Sequence, residues 1–247
     1  MKIHPMTFTL PMVCALLGGR KTQTRRLFRL PRWANQNATP EIDIHGVWGM
    51  VTKNVCWSRL AIPQKGDLIY VREPWRTLVE ADDKSPSQLV KSCLDAGYRR
   101  PWCVVRYEAD RQRVNVGLLQ SNEQTRLKWV EGWGRYRQAM HMPRPYTRLT
   151  LRVSDVRIEW LHSITNADAK AEGVVLDHCC EHCPSNQPWH VPLVEGTCAE
   201  SRVGAYEKLW DYINPQNPWS DCPLVVATTF QVIEQNVDDY TSANQGA

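Results

Sequence analysis

No apolar run in this chain approaches the roughly 20 residues that a membrane-spanning helix requires. Near the start, Pro5, Thr7, Thr9 and Pro11 interrupt the apolar residues and leave only Met12 to Leu17 unbroken, so a secretory signal is not expected either. There is also no strong surplus of one charge sign. Thirty basic residues against 26 acidic ones leave a net charge of +4, which is compatible with nucleic acid without establishing it. Internal repeats are lacking. The nine cysteines are odd in number and scattered, and a 247-residue chain that is 43% hydrophobic has no need of disulfide stapling. The expectation is a cytoplasmic protein with free thiols and no membrane partner.

What the chain has in abundance is tryptophan, with 11 residues. Each combines a large apolar face with one N–H, which suits cores, stacking platforms and interfaces alike. The densest chemistry lies in Gly18-Gly19-Arg20-Lys21-Thr22-Gln23-Thr24-Arg25-Arg26. Glycine lets the backbone turn with positive φ and lets a ligand approach closely. The basic side chains that follow suit a phosphate or a polar base edge. The alternative is a glycine that merely stops a short helix, followed by solvated arginines.

Pro11 suits a first helical turn, and Met12 to Leu17 then form a short apolar helix that Gly18 can end. Residues 29–62 are punctuated by Pro31, Pro40 and Gly46 and are expected as a decorated loop or small hairpin. Leu68-Ile69-Tyr70-Val71 reads as a strand buried on both faces, ending at Arg72-Glu73-Pro74-Trp75. The charged pair there either lines a site or forms an edge salt bridge. In Arg148 to Trp160 the apolar parity flips after Ser154-Asp155, which predicts a bulge or tight turn of the kind that curls sheets. Thr165-Asn166-Ala167-Asp168 predicts a capping box on a short helix that stops at Gly173. Residues 199–213 have helical apolar spacing, and 224–233 read as a final strand.

Two segments stay open. Residues 126–137 interleave Arg and Lys with Trp and Tyr, which suits single-stranded nucleic acid or a loop whose rings pack inward. His178, Cys180, Cys183 and Cys198 are candidate ligands of a structural zinc, with His190 as an alternative fourth ligand; otherwise the cysteines are free thiols.

Taken in order, Gly19-Arg20-Lys21-Thr22-Gln23-Thr24-Arg25-Arg26, Lys65 to Trp75, Arg148-Leu149-Thr150-Leu151 through Ala169-Lys170-Ala171-Glu172-Gly173, Leu209 to Asn214, and Asn217-Pro218-Trp219 resemble the ASCH family of the PUA-like superfamily, in particular its long bacteriophage and prophage members. The resemblance implies an α+β fold: a small β-barrel with flanking helices and long loop insertions. It implies one domain over 1–233, with insertions at about 29–62, 80–145 and 177–198 and a disordered tail at 234–247. It further implies a cleft beside the lysine motif that recognises RNA or a modified nucleoside. Carried over residue by residue, an N4-acylcytidine amidohydrolase site falls on Lys21 as base, Thr24 as nucleophile and Glu172 as acid, with no cofactor required for catalysis. Arg20, Arg25, Arg26, Arg72, Glu73 and Trp75 would contact the base or nucleic acid. The alternatives are a ribonuclease, a non-catalytic RNA-binding module, or a phage accessory protein whose partner is a protein docked on 80–145. For Lys21 and Thr24 to meet, Lys21 must sit in the turn before the strand, because in a regular strand the two would face opposite ways.

Overall fold

The computed structural model describes residues 1–31, 39–43, 45–52, 55–98, 101–116, 132–176 and 188–244. The strands are β1 (Ile3–Thr7), β2 (Gln23–Leu27), β3 (Thr39–Ile42), β4 (Trp48–Thr52), β5 (Val55–Arg59), β6 (Leu68–Arg72) and β7 (Trp75–Arg76). They continue as β8 (Cys103–Tyr107), β9 (Arg113–Val116), β10 (Thr150–Trp160), β11 (Val175–Leu176), β12 (Trp189–His190) and β13 (Leu224–Ile233). The helices are α1 (Leu10–Leu17), α2 (Pro86–Asp95), α3 (Asn166–Ala171), α4 (Arg202–Ile213) and α5 (Val237–Asn244). The fold is α+β. Among the described residues, no sheet closes into the expected barrel and no helix is long and apolar enough to cross a membrane.

The chain divides into two compact units. The first comprises 1–2, 15–68 and 152–232. In it, β2 pairs antiparallel with β13, with Thr24 opposite Thr228 and Leu27 opposite Val225. The segment read as a loop or small hairpin forms the antiparallel meander β3–β4–β5. The Trp48 indole N–H of that meander donates to the Val156 carbonyl at 2.7 Å. Its core gathers Leu161, Ala169, Val174, Tyr206, Leu209 and Val225, all buried. Burying a valine or leucine side chain there stabilises by about 1.5–3 kcal/mol. The parity flip in β10 is present: Val153 and Val156 are buried while Ser154 and Asp155 are both exposed, yet the strand runs on without a turn.

The second unit comprises 3–14, 69–151 and 233–247. Its antiparallel sheet β7–β8–β9 packs Trp75, Val105, Tyr107, Met142 and Tyr146 into a separate core. Helix α2 opens with a reciprocal capping box between Ser85 and Gln88. The tail expected to be disordered instead carries α5, with Val237 fully buried. Asn236 explains the difference. Its Oδ1 accepts from the Asp238 N–H at 2.8 Å and so caps the helix, while its Nδ2 donates to the Thr147 carbonyl at 2.7 Å.

Candidate functional site

Two helix C-termini in the first unit deliver the site. Helix α1 ends in a Schellman turn: Gly19 has φ 65°, its N–H donates to the Leu16 carbonyl at 3.0 Å, and the Arg20 N–H donates to Ala15 at 2.9 Å. The glycine that adopts the left-handed conformation is therefore Gly19, one residue after the expected stop. Helix α3 ends the same way. Gly173 has φ 107°, its N–H donates to Lys170 at 2.9 Å, and the Val174 N–H donates to Ala169 at 3.1 Å. The first turn places Lys21 between cap and strand, the position expected for it. The second makes Glu172 the capping residue of α3. A hydrogen bond from the Thr22 N–H to the Ala171 carbonyl, at 2.8 Å, ties the two turns together.

Lys21 and Glu172 consequently touch. The Nζ donates to Glu172 Oε2 at 2.5 Å and to the Glu172 backbone carbonyl at 3.0 Å. The second bond puts a cation on the negative end of α3, a favourable placement. The two side chains are 1% and 3% exposed. Burial holds the Lys21 amine below its ordinary pKa, and the nearby Arg25 and Arg26 guanidinium groups push the same way; Glu172 opposes them without overcoming burial.

Arg25 is the hub of this cluster. Its Nη2 lies 2.8 Å from Glu159 Oε1 and 3.3 Å from Asp168 Oδ2, and its Nη1 lies 3.4 Å from Glu172 Oε1. Gln23 Oε1 accepts from the same Nη1 at 2.5 Å. Burial disfavours the Arg25 charge, but these carboxylates outweigh it and raise its pKa. Arg157 closes the network, with Nη2 2.7 Å from Asp168 Oδ1. Burial alone would raise the Asp168 pKa. Hydrogen bonds from the Thr165 N–H and hydroxyl, with Arg157 and Arg25, hold it well below the carboxylate range instead. Tyr206 of α4 is buried within electrostatic reach of Glu172, and burial pushes its phenol pKa far up.

Thr24 is buried opposite Thr228. Alternation along β2 turns it to the face away from Gln23 and Arg25. Of the three carried-over catalytic residues, then, Lys21 and Glu172 are in direct contact, and Thr24 occupies the opposite pleat from the arginine that touches Glu172. Arg26 is largely buried, which lowers its pKa against the pull of Glu172. Arg25, expected on a base, has its guanidinium fully enclosed among carboxylates. Arg20 lines a pocket of this unit.

Arg72, Glu73 and Trp75 belong to the second unit. Trp75 is a fully buried core residue. Glu73, also fully buried, is gripped by Arg148 through two bonds of 2.9 Å; burial still raises its pKa. The Arg148 guanidinium stacks 4.0 Å above the Tyr107 ring and reaches Asp110 at 2.7 Å. Of the charged pair at the strand end, Glu73 therefore forms a salt bridge. Arg72 donates to Tyr70 Oη at 3.1 Å and to the Met140 carbonyl at 3.3 Å. In the basic and aromatic segment, residues 126–131 lie outside the described residues. In its described part the rings are covered by the unit's own arginines: Arg76 over Tyr136 at 5.7 Å and Arg106 over Trp133 at 5.5 Å. Arg137 lies over Trp75 at 5.3 Å.

Of the candidate zinc ligands, His178, Cys180 and Cys183 lie outside the described residues. Cys198 is disulfide-bonded, which departs from the expected free thiol and leaves no thiolate for a metal. Cys14, Cys93, Cys103 and Cys222 are thiols. Among the described residues no group of three or more His, Cys, Asp or Glu is arranged to hold a metal ion.

Sequence reasoning missed Glu159, Arg157 and Tyr206 as members of the site. The alternation in β10 put Arg157 and Glu159 on one face, but nothing local pointed them at Arg25, 134 positions from Glu159. No family model matches the chain, and no curated protein or solved structure matches it.

Proposed function

We propose that this chain is a PUA-like protein of the ASCH type that recognises RNA or a modified nucleoside beside Lys21 and Glu172, and hydrolyses the acyl amide of an N4-acylcytidine. The observation that carries this reading is the 2.5 Å contact between a buried amine and a buried carboxyl group. Burial lowers the pKa of the Lys21 amine, which favours its neutral, proton-accepting form. That is the form in which a lysine serves amide hydrolysis as a base. The Lys21 amine accepts a proton from a water as the water oxygen attacks the acyl carbonyl, Thr24 lying on the pleat away from Arg25. The Glu172 acid then gives its proton to the departing N4.

A second reading is favoured by the near-complete enclosure of the same pair: a clamp that fastens the end of α3 to the start of β2 in a binding module that catalyses nothing. One assay separates them. The protein is incubated with N4-acetylcytidine and with short RNAs, and products and retained ligand are followed by chromatography. Release of cytidine that disappears in Lys21→Ala supports the hydrolase. Retention without turnover supports the binding module, and neither outcome removes both.

A further inference from the structure

In the first unit, residues flanking the Lys21–Glu172 pair line a pocket of about 470 Å³. Arg20 and Thr22 come from the turn on either side of Lys21, Lys170 from the last turn of α3, and Arg202 from the first position of α4. Three of the described lining residues are cations and none is a carboxylate. This contrasts with the adjoining cluster, where Arg25 alone meets three carboxylates.

The cations differ in how they are held. Arg202 is stacked over the Trp189 ring, its Cζ 4.2 Å from the centroid, and its Nε is buried without a hydrogen-bond partner among the described residues. A stacked guanidinium is fixed in plane and keeps its remaining donors for a planar or tetrahedral anion. Lys170 is exposed and adds a mobile point charge, while the exposed Thr22 adds a hydroxyl. Gly19 contributes no side chain, so a ligand can come up to the backbone there. The rest of the described lining, including Ala167, Val174 and Leu176, is apolar and suits a sugar or a base edge.

We propose that this pocket binds the phosphate of a nucleotide, with Arg20, Lys170 and Arg202 as its cationic donors. A phosphate there would take charge-assisted hydrogen bonds from the stacked Arg202 guanidinium and the exposed Lys170 ammonium. That the phosphate belongs to a nucleotide rests on the nucleoside reading of the Lys21–Glu172 site; the phosphate contact itself does not.

The test is calorimetric titration of the full chain with cytidine, cytidine 5′-monophosphate, inorganic pyrophosphate and a short RNA. The proteins compared are the unaltered chain, the double variant Lys170→Gln/Arg202→Gln, and Lys21→Met. Cytidine 5′-monophosphate or the RNA is expected to bind more tightly than cytidine, with affinity falling as salt rises. The double variant is expected to weaken that binding at least about tenfold. Which of the two phosphate-bearing ligands binds tighter distinguishes a mononucleotide from a polynucleotide source. Thermal melts of the double variant confirm that it folds; should it not, Lys170→Gln alone, at an exposed position, replaces it. Equal affinity for cytidine and its monophosphate, equal affinity in variant and unaltered chain, or binding of pyrophosphate alone would overturn the proposal. Loss of N4-acetylcytidine turnover in Lys21→Met with nucleotide binding retained bears on the hydrolase reading and leaves the pocket standing.

Discussion

Gly173 packs against Ala15: a Cβ built on Gly173 would lie 3.5 Å from the Ala15 Cβ and 3.9 Å from the Lys21 Cβ. The two helix ends that present the amine and the acid are thus seated on one another. Gly173→Ala places a side chain at φ 107°, which a residue with a Cβ rarely adopts. The expected cost is about 1–3 kcal/mol, read as a fall in the urea midpoint. Gly19→Ala meets nothing within 4 Å, so only the left-handed backbone counts against it, at about 1–2 kcal/mol. A Gly173→Ala protein as stable as the parent would contradict the positive φ described.

Lys21→Met removes one partner of a buried pair and leaves the Glu172 carboxylate with Arg25 at 3.4 Å and Arg26 within electrostatic reach. A loss of about 3–5 kcal/mol is expected in chemical denaturation. The double variant Lys21→Met/Glu172→Leu should recover most of it, because no uncompensated charge then remains inside. A double variant less stable than the single would show that the pair contributes more than its own desolvation.

Asp168 contributes stability that acid removes. Its folded pKa lies below the unfolded value of about 3.9, so its contribution is complete above that pH. Between the two values the unfolded chain binds more protons, and stability falls as pH falls. Asp168→Asn should flatten the stability profile below about pH 4. Carbon NMR of the Asp168 carboxyl provides the direct check, and a titration at the ordinary carboxylate pH would contradict the geometry.

The local part of this site was legible in the sequence. Thr165 and Asp168 announced a capping box, Gly173 its stop, and the apolar shift at Ser154–Asp155 its change of face, because each signal lies within a few residues. The long-range part was not. Arg25 reads as one of three arginines in a basic stretch, and only folding brings Glu159 and Asp168 to it. Asn236 reads as one polar residue of a tail until the carbonyls of Arg144 and Thr147 are placed beside its amide. The same composition that suits a nucleic-acid platform, arginine beside tryptophan and tyrosine, here stacks arginines of one unit on that unit's own rings. The parity flip in β10 carried the expectation of a curled sheet, yet a local bulge changes which residues face inward without requiring closure.

The second unit offers an independent check. Arg148→Met would strand the fully buried Glu73, with an expected loss of about 3–5 kcal/mol. Glu73→Gln in the same background should restore part of it, since burial already disfavours the Glu73 charge. Denaturation curves of the parent and the two variants measure this, and a single variant within about 1 kcal/mol of the parent, roughly the scale of an exposed pair, would contradict it.

The proposed pairing of Lys21 as base with Glu172 as acid predicts a pH-dependent rate. Its most direct measurement is the rate of cytidine release from N4-acetylcytidine as a function of pH, in the unaltered protein and in Lys21→Met. The predicted rate rises with pH through a midpoint below the ordinary lysine value, and Lys21→Met slows it by at least about a hundredfold. An unchanged rate in that variant, at every pH, would contradict the claim.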